Sequence, residues 1–154
     1  MRSMRALLIV LAGALLWSAT AQAHCEIPCG IYDDAARIAE MREDVVTIEK
    51  SMNQIIALSA AGDKNYNQLV RWVMNKEKHA DKLQETATQY FMFQRIKPVE
   101  QSDSAWTKYQ HELTLMHKIT VYAMKAKQTT DLENVTKLNE LITQFEESYL
   151  GHTH

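Results

Sequence analysis

The sequence is poor in residues that interrupt helices, and charge of neither sign dominates it. Its 154 residues include two prolines and four glycines. Seventeen basic and 19 acidic residues give a formal net charge of −2. This balance argues against nucleic acid as a partner and leaves no basic face for a membrane surface. Beyond its first residues the chain has no apolar run long enough to span a bilayer, so we expect no membrane association of the mature form.

The first 23 residues read as a cleavable export signal. Arg2 and Arg5 precede an apolar run at residues 6–16, and the small-x-small triplet of residues 21–23 resembles a cleavage site. A retained signal anchor is the alternative, but the apolar run is short for one. We therefore predict that a signal or processing peptidase removes residues 1–23 and that the mature domain, residues 24–154, is periplasmic or secreted. Removal leaves 131 residues, takes away two arginines and no acids, and lowers the formal charge to −4.

The only two cysteines, Cys25 and Cys29, directly follow this cleavage site. In an exported protein two cysteines by default form a disulfide. Here the bridge would close a very small loop and would stabilise the fold little. Cleavage after residue 23 makes His24 the first residue, so its amine and imidazole, a backbone amide and two thiolates would share one short segment. This set of ligands makes a metal site the alternative to a disulfide.

The nature of these donors limits the metal. A planar set of nitrogen and thiolate ligands favours nickel(II) or copper(II). Zinc prefers four tetrahedral side-chain ligands, and the segment offers only three. A c-type haem needs two residues between its cysteines and a histidine after the second, whereas three residues intervene here and Gly30 follows. Pro28 and Gly30 suit a tight loop, because proline fixes one φ angle and glycine permits conformations closed to other residues.

The rest of the chain has the pattern of helices. Apolar residues at alternating spacings of three and four begin at Ile38 and form an a/d seam, which ends at Gly62. No segment alternates with a period of two over the length of a strand. We predict an all-α protein, an antiparallel up-and-down four-helix bundle with an N-terminal metal-binding hook at residues 24–32. The helices are expected at about 34–61, 64–95, 104–127 and 131–150. Aromatic residues exceed what one seam needs and predict either local packing or a subunit contact.

The motif His-Cys-x-x-Pro-Cys-Gly-x-Tyr at residues 24–32 resembles nickel-containing superoxide dismutase. The resemblance implies that the chain converts superoxide to O₂ and hydrogen peroxide by a nickel(II)/nickel(III) cycle, with one nickel ion per subunit of a homohexamer. It implies that the amine and imidazole of His24, the backbone nitrogen of Cys25 and the thiolates of Cys25 and Cys29 bind the metal.

The resemblance extends to residues around the metal. Tyr32 matches a tyrosine that lines the approach of the substrate, and Glu40 matches a glutamate that holds the axial imidazole. An arginine on the second helix of the family has no counterpart here, and His79 stands in that region. A second guarding aromatic residue is also missing before Lys97-Pro98, for which Tyr90 is a candidate substitute.

A non-catalytic exported carrier of nickel or copper, built on the same bundle, is the alternative function. A carrier needs open access so that its metal can exchange, whereas a dismutase needs a closed pocket. Tyr32 together with a closed pocket would distinguish the two, and the specificity of the motif favours the enzyme.

Overall fold

Four α-helices account for most of the computed structural model, which describes residues 32–62 and 65–151. No strand occurs in these two described ranges. The second helix continues into a π-helical segment, Thr86–Arg95. The prediction of an all-α chain is confirmed, while the predicted signal and the ligands His24, Cys25 and Cys29 lie outside the described residues. The helices are α1 (Asp34–Ala60), α2 (Tyr66–Glu85), α3 (Trp106–Gln128) and α4 (Glu133–Leu150).

The helices pack in chain order around a common core. Each helix contacts the next one, and α4 returns to contact α1. The π-helical segment contacts α3 as well as α2. The start of α1 bonds to the end of the π-helical segment and to the last turn of α4, so both run antiparallel to α1. Hydrogen bonds from Lys76 to Ala126 and from Gln84 to Thr120 show that α2 and α3 are also antiparallel. The predicted antiparallel four-helix bundle is thus confirmed.

The core follows the apolar seam of the sequence. Residues on this face of α1 have no exposed surface, and they meet the ring of Phe91 from the π-helical segment and that of Phe145 from α4 in one cluster. Burial of side chains of this size stabilises the fold by about 1.5–3 kcal/mol each. The fully buried seam residues of α1 are Ile38, Met41, Val45, Ile48 and Met52.

Aspartates and glycines set the ends of the helices. Asp33 caps α1, since its Oδ1 accepts a hydrogen bond of 2.9 Å from the backbone N–H of Ala36. Gly151 ends α4 with a φ of 71°, a left-handed conformation that costs glycine little. Helices α3 and α4 begin two residues later than 104 and 131, because Asp103 and Asp131 each accept from the backbone N–H two residues on and form a turn before the helix.

A buried lysine joins α2 to the end of α3. Lys76 is 4% exposed, and its Nζ donates hydrogen bonds to the carbonyl oxygens of Ala126 (2.7 Å), Thr129 (3.0 Å) and Lys127. These carbonyls lie at the C-terminus of α3, where unpaired C=O groups carry partial negative charge. The ammonium group therefore replaces the cap that the sequence of α3 does not supply.

We expect Lys76→Met to lower the free energy of unfolding by roughly 2–3 kcal/mol, because buried carbonyls would lose a charged donor. Urea denaturation of the mature chain measures this change. Lys78→Met is the matched control, since Lys78 is exposed on the same helix, and it should stay within about 0.5 kcal/mol of the wild type. Equal effects of the two variants would contradict this role of Lys76.

Candidate functional site

One carboxylate of α1 accepts hydrogen bonds from the π-helical segment and from α4, and so joins three elements at the end of the bundle where α1 begins. Asp34, the first residue of α1, accepts from Arg95 Nε (2.9 Å) and Nη2 (2.7 Å), which reach different oxygens. It also accepts from Tyr90 Oη (2.6 Å) and Tyr149 Oη (2.9 Å). Tyr90 and Arg95 belong to the π-helical segment and Tyr149 to the last turn of α4. We call Asp34, Tyr90, Arg95 and Tyr149 the Asp34 cluster.

The electrostatics of the Asp34 cluster are consistent with an ionised carboxylate. Burial opposes ionisation of Asp34, but hydrogen bonds from Arg95, Tyr90 and Tyr149 outweigh it and lower its pKa below 3.8. Burial and the hydrogen bond to Asp34 raise the pKa of Tyr149 to about 12, and the same two causes raise the pKa of Tyr90. Both phenols are therefore protonated near neutral pH and can donate to the carboxylate.

Tyr32 lies against this cluster. The Cζ atom of Arg95 is 4.3 Å from the centre of the Tyr32 ring, which makes a cation–π contact. The rings of Tyr32 and Tyr90 are 6.0 Å apart and tilted by 59°. Tyr32 keeps 39% of its surface exposed. Tyr32, the predicted guard residue, thus has Arg95 on its face and the ring of Tyr90 beside it, while part of its side chain remains at the surface.

Glu40 lies on the adjacent side of α1. Its carboxylate pairs with Arg37 Nη1 at 2.8 and 3.1 Å, and the Cζ atom of Arg37 is 5.5 Å from the centre of the Tyr90 ring. Glu40 and Tyr90 both line a shallow groove whose other residues are Arg37, Lys82, Glu85, Thr86 and Gln89. The structure therefore brings Tyr32, Glu40 and Tyr90 to one end of the bundle.

His79, from the region where the family has an arginine, contacts a buried carboxylate of α1. Its Nδ1 lies 2.7 Å from Oδ1 of Asp44, a residue only 1% exposed that follows Glu40 by one turn of α1. The cation beside Glu40 is Arg37, from the same helix. The buried carboxylate of Asp44 thus has His79 and Lys82 as neighbours, the latter with its Nζ 3.5 Å from Oδ1, and His79 does not contact Glu40 through this ring nitrogen.

The π-helical segment explains how Tyr90 and Arg95 reach the same carboxylate. Its wider turn is visible at its end, where the backbone N–H of Ile96 donates to the carbonyl oxygen of Phe91, five residues earlier, at 2.8 Å. In an α-helix two residues five apart point about 140° away from each other. Hydrogen bonding from i to i+5 widens the turn and makes this angle much smaller, so such residues lie on the same side of the helix.

The sequence did not reveal Asp34, Arg95 and Tyr149 as a group. In sequence, an aspartate at the start of a helix is typical of a cap, and a tyrosine such as Tyr149 fits an apolar stripe, so neither indicates a partner far along the chain. The single signal was Arg95 standing among aromatic residues shortly before Pro98. Hydrophobic periodicity does not reveal a change from α- to π-helical hydrogen bonding, so the pairing of Tyr90 with Arg95 could not be deduced.

The part of the chain that the structure describes contains no group of three or more His, Cys, Asp or Glu side chains that could hold a metal ion. The assignment of His24, Cys25 and Cys29 as metal ligands therefore stays a prediction from the sequence. Tyr32 is three residues beyond Cys29, so the predicted ligands join the described chain at the end of the bundle that carries the Asp34 cluster.

Comparison with known proteins gives one match. The model of the family described as nickel-containing superoxide dismutase matches residues 19–153. This range includes the motif at residues 24–32 and all four helices. No curated protein and no solved structure matches the chain.

We expect Asp34→Asn to lower the free energy of unfolding by roughly 2–3 kcal/mol at pH 7, because Arg95 would lose its charged partner. The folded-state pKa of Asp34 is depressed, so its contribution is present above about pH 3.8 and is lost as the pH falls through the folded-state value. The difference between wild type and variant should therefore shrink as the pH falls below 3.8. Urea denaturation from pH 7 to pH 3 measures it.

Asp81→Asn serves as the control for this experiment, since Asp81 pairs with Lys127 but is 61% exposed. We expect it to change the stability by no more than about 1 kcal/mol. A difference between wild type and Asp34→Asn that is the same at pH 7 and pH 3 would show that ionised Asp34 does not hold the cluster.

Proposed function

Because the chain belongs to the nickel-containing superoxide dismutase family, we propose that it dismutes superoxide at the N-terminal hook of the processed chain. Superoxide dismutation by a nickel enzyme, with superoxide as substrate and nickel as cofactor, follows from membership of the family. The position of the centre, its ligands and its redox cycle are the proposal. The observation that supports it is that Tyr32, the last residue of the motif at residues 24–32, lies against Arg95 and Tyr90 of the Asp34 cluster.

The donor set of the hook fits nickel. Two thiolates, from Cys25 and Cys29, combine with the amine and imidazole of His24 and the backbone nitrogen of Cys25, and nitrogen and thiolate donors of this kind suit nickel(II). When bound, one nickel ion per subunit would supply one-electron chemistry between nickel(II) and nickel(III), which both halves of the dismutation need. The amine exists only after removal of residues 1–23, so processing would create the site.

The residues around the hook have separate tasks in this proposal. Tyr32 lines the approach and excludes larger molecules and bulk water, which matters because thiolates oxidise stepwise to irreversible acids. Tyr90, whose ring lies 6.0 Å from that of Tyr32, is the second aromatic guard. Glu40 accepts a hydrogen bond from the imidazole of His24 and keeps it oriented, as carboxylates commonly do for metal-bound histidines. Arg37 Nη1 lies 2.8 Å from Glu40 Oε2 and limits where that carboxylate can point.

The subunits are proposed to assemble as a homohexamer. The number of copies rests on the resemblance of the motif to the family. Support for a subunit contact comes from α2, where Tyr66, Val70 and Met74 recur every four residues and are 66%, 54% and 65% exposed. Phe93, in the π-helical segment, is also 66% exposed. Apolar surface arranged along one helix face commonly marks an interface.

The mature protein is proposed to be periplasmic or secreted. The basic and apolar residues before position 23, followed by a small-x-small triplet, support removal by a signal or processing peptidase. Among the described helices, none has the length and apolar character that crossing a membrane requires.

The first test concerns the amine of His24. Nickel-loaded protein that begins at His24 should dismute superoxide and give a rhombic nickel(III) signal in electron paramagnetic resonance. A chain extended by one residue before His24 should lose both, because the terminal amine becomes an amide. Circular dichroism serves as the control, since the extension should leave the helices intact. An extended chain with full activity would refute the hook as the metal site, and a processed chain that binds nickel without activity would favour the carrier.

The second test concerns Glu40. We expect Glu40→Gln to lower the activity of the nickel-loaded enzyme by about 10- to 100-fold, the usual cost of losing a carboxylate that orients a metal-bound histidine. Glu43→Gln is the matched control, because Glu43 is exposed on the same helix, and it should keep the wild-type rate. If Glu40→Gln also keeps that rate, Glu40 has no part in holding His24.

A further inference from the structure

We propose that Arg95 is a positioning residue that holds the ring of Tyr32 at the entrance to the hook, and that Asp34 in turn holds Arg95. The proposal rests on the proposed function, because Tyr32 guards an entrance only if the hook is the metal site. It concerns residues of this chain that the motif does not contain. Arg95 contacts both Asp34 and the face of the Tyr32 ring.

The geometry of Arg95 leaves its guanidinium group little freedom. Nε and Nη2 donate to the two oxygens of Asp34 at 2.9 and 2.7 Å, a fork-shaped contact that fixes the plane of the group. The face of the Tyr32 ring lies 4.3 Å from Cζ of the same group. Tyr32 precedes α1, and the plane of Arg95 forms a surface on which its ring rests. The orientation of Arg95 therefore contributes to the orientation of the ring.

The second neighbour of Tyr32 depends on the same carboxylate. Tyr90 donates to Oδ1 of Asp34 at 2.6 Å, and its ring is 3% exposed. Tyr149, from the last turn of α4, donates to Oδ2 at 2.9 Å. Asp34 thus holds both Arg95 and Tyr90, and Tyr32 rests against these two side chains. Tyr32 is therefore positioned by residues of the π-helical segment and of α1, in addition to its own stretch of backbone.

The proposed role of Arg95 is to position Tyr32 and not to attract the substrate. Its charge is compensated by Asp34, and that of neighbouring Arg37 by Glu40, so these two pairs give little net field to attract an anion such as superoxide. A lysine at position 95 would keep the charge but would lose the planar fork and the flat stacking surface. Arg95→Lys therefore separates positioning from attraction of the substrate.

The test uses the mature protein with 3-fluorotyrosine at Tyr32. In Arg95→Lys, the difference in the fluorine chemical shift between H₂O and D₂O should increase, because the ring becomes more exposed to solvent. In the nickel-loaded protein, hydrogen peroxide should oxidise Cys25 and Cys29 about 2- to 5-fold faster, as intact mass would show. The dependence of kcat/KM on ionic strength should stay unchanged.

Arg42→Lys is the matched control. Arg42 likewise pairs with a carboxylate of another element, Glu146 of α4, and lies two turns beyond Asp34 on α1. It should move neither the fluorine shift nor the oxidation rate. In a Tyr32→Ala background, Arg95→Lys should add nothing to the oxidation rate, because its effect acts through the ring of Tyr32. Asp34→Asn should change both readouts in the same direction as Arg95→Lys, which keeps the test usable if Arg95→Lys does not fold.

Two outcomes would overturn the proposal. One is an Arg95→Lys variant that folds and keeps the wild-type fluorine shift and oxidation rate. The other is an equal change in both readouts in Arg42→Lys, which would indicate a general loss of rigidity. Failure of the proposed function is distinguishable, because it would appear in the wild type as absence of the nickel(III) signal and of activity. The fluorine measurement on nickel-free protein would still test the contact between Arg95 and Tyr32.

Discussion

The structure depends on the compensation of one partly buried negative charge. Removing a carboxylate from water costs several kcal/mol unless charged and hydrogen-bonding partners replace the water. Asp34 obtains them from Arg95, Tyr90 and Tyr149, which come from separate parts of the chain. The ends of α1, α4 and the π-helical segment must therefore converge on one point. This requirement, more than the apolar seam, determines what surrounds Tyr32, since an apolar core tolerates small rotations of its helices whereas a forked ion pair does not.

The same constraint connects stability with the proposed chemistry. A metal site with thiolate ligands must admit a small anion and keep peroxide and bulk water away, so the residues at its entrance need defined positions. Helix ends supply such positions more accurately than a loop does. The π-helical segment adds to this, because its wider turn presents Tyr90 and Arg95 on one side of the helix. Departures from regular helix of this kind are frequent at functional sites, and here the departure has an identifiable partner in Asp34.

The sequence predicts features that leave a local pattern, and it does not predict contacts between residues that are far apart in the chain. Ile38 begins the apolar seam of α1, and Gly62 marks the end of that helix. Burial and a left-handed turn both leave patterns in the local sequence, and the four-helix bundle could be predicted from such patterns. The resemblance to the family was recognised from the motif at residues 24–32. Tyr32 and Glu40 were selected by resemblance, and the structure adds their neighbours. The ion pair between Asp34 and Arg95 joins residues 61 positions apart, so no local pattern encodes it. For the same reason the partner of His79 could not be read from its neighbours in sequence.

The hydrogen bond between Asp34 and Tyr149 spans 115 positions of the chain. Closing so long a loop is entropically costly, so α4 must already be packed against α1 when this bond forms. Until Tyr149 reaches Asp34, the carboxylate that holds the neighbours of Tyr32 lacks one of its donors. In the proposed site, a metal ion that binds before that stage would meet thiolates without their full protection.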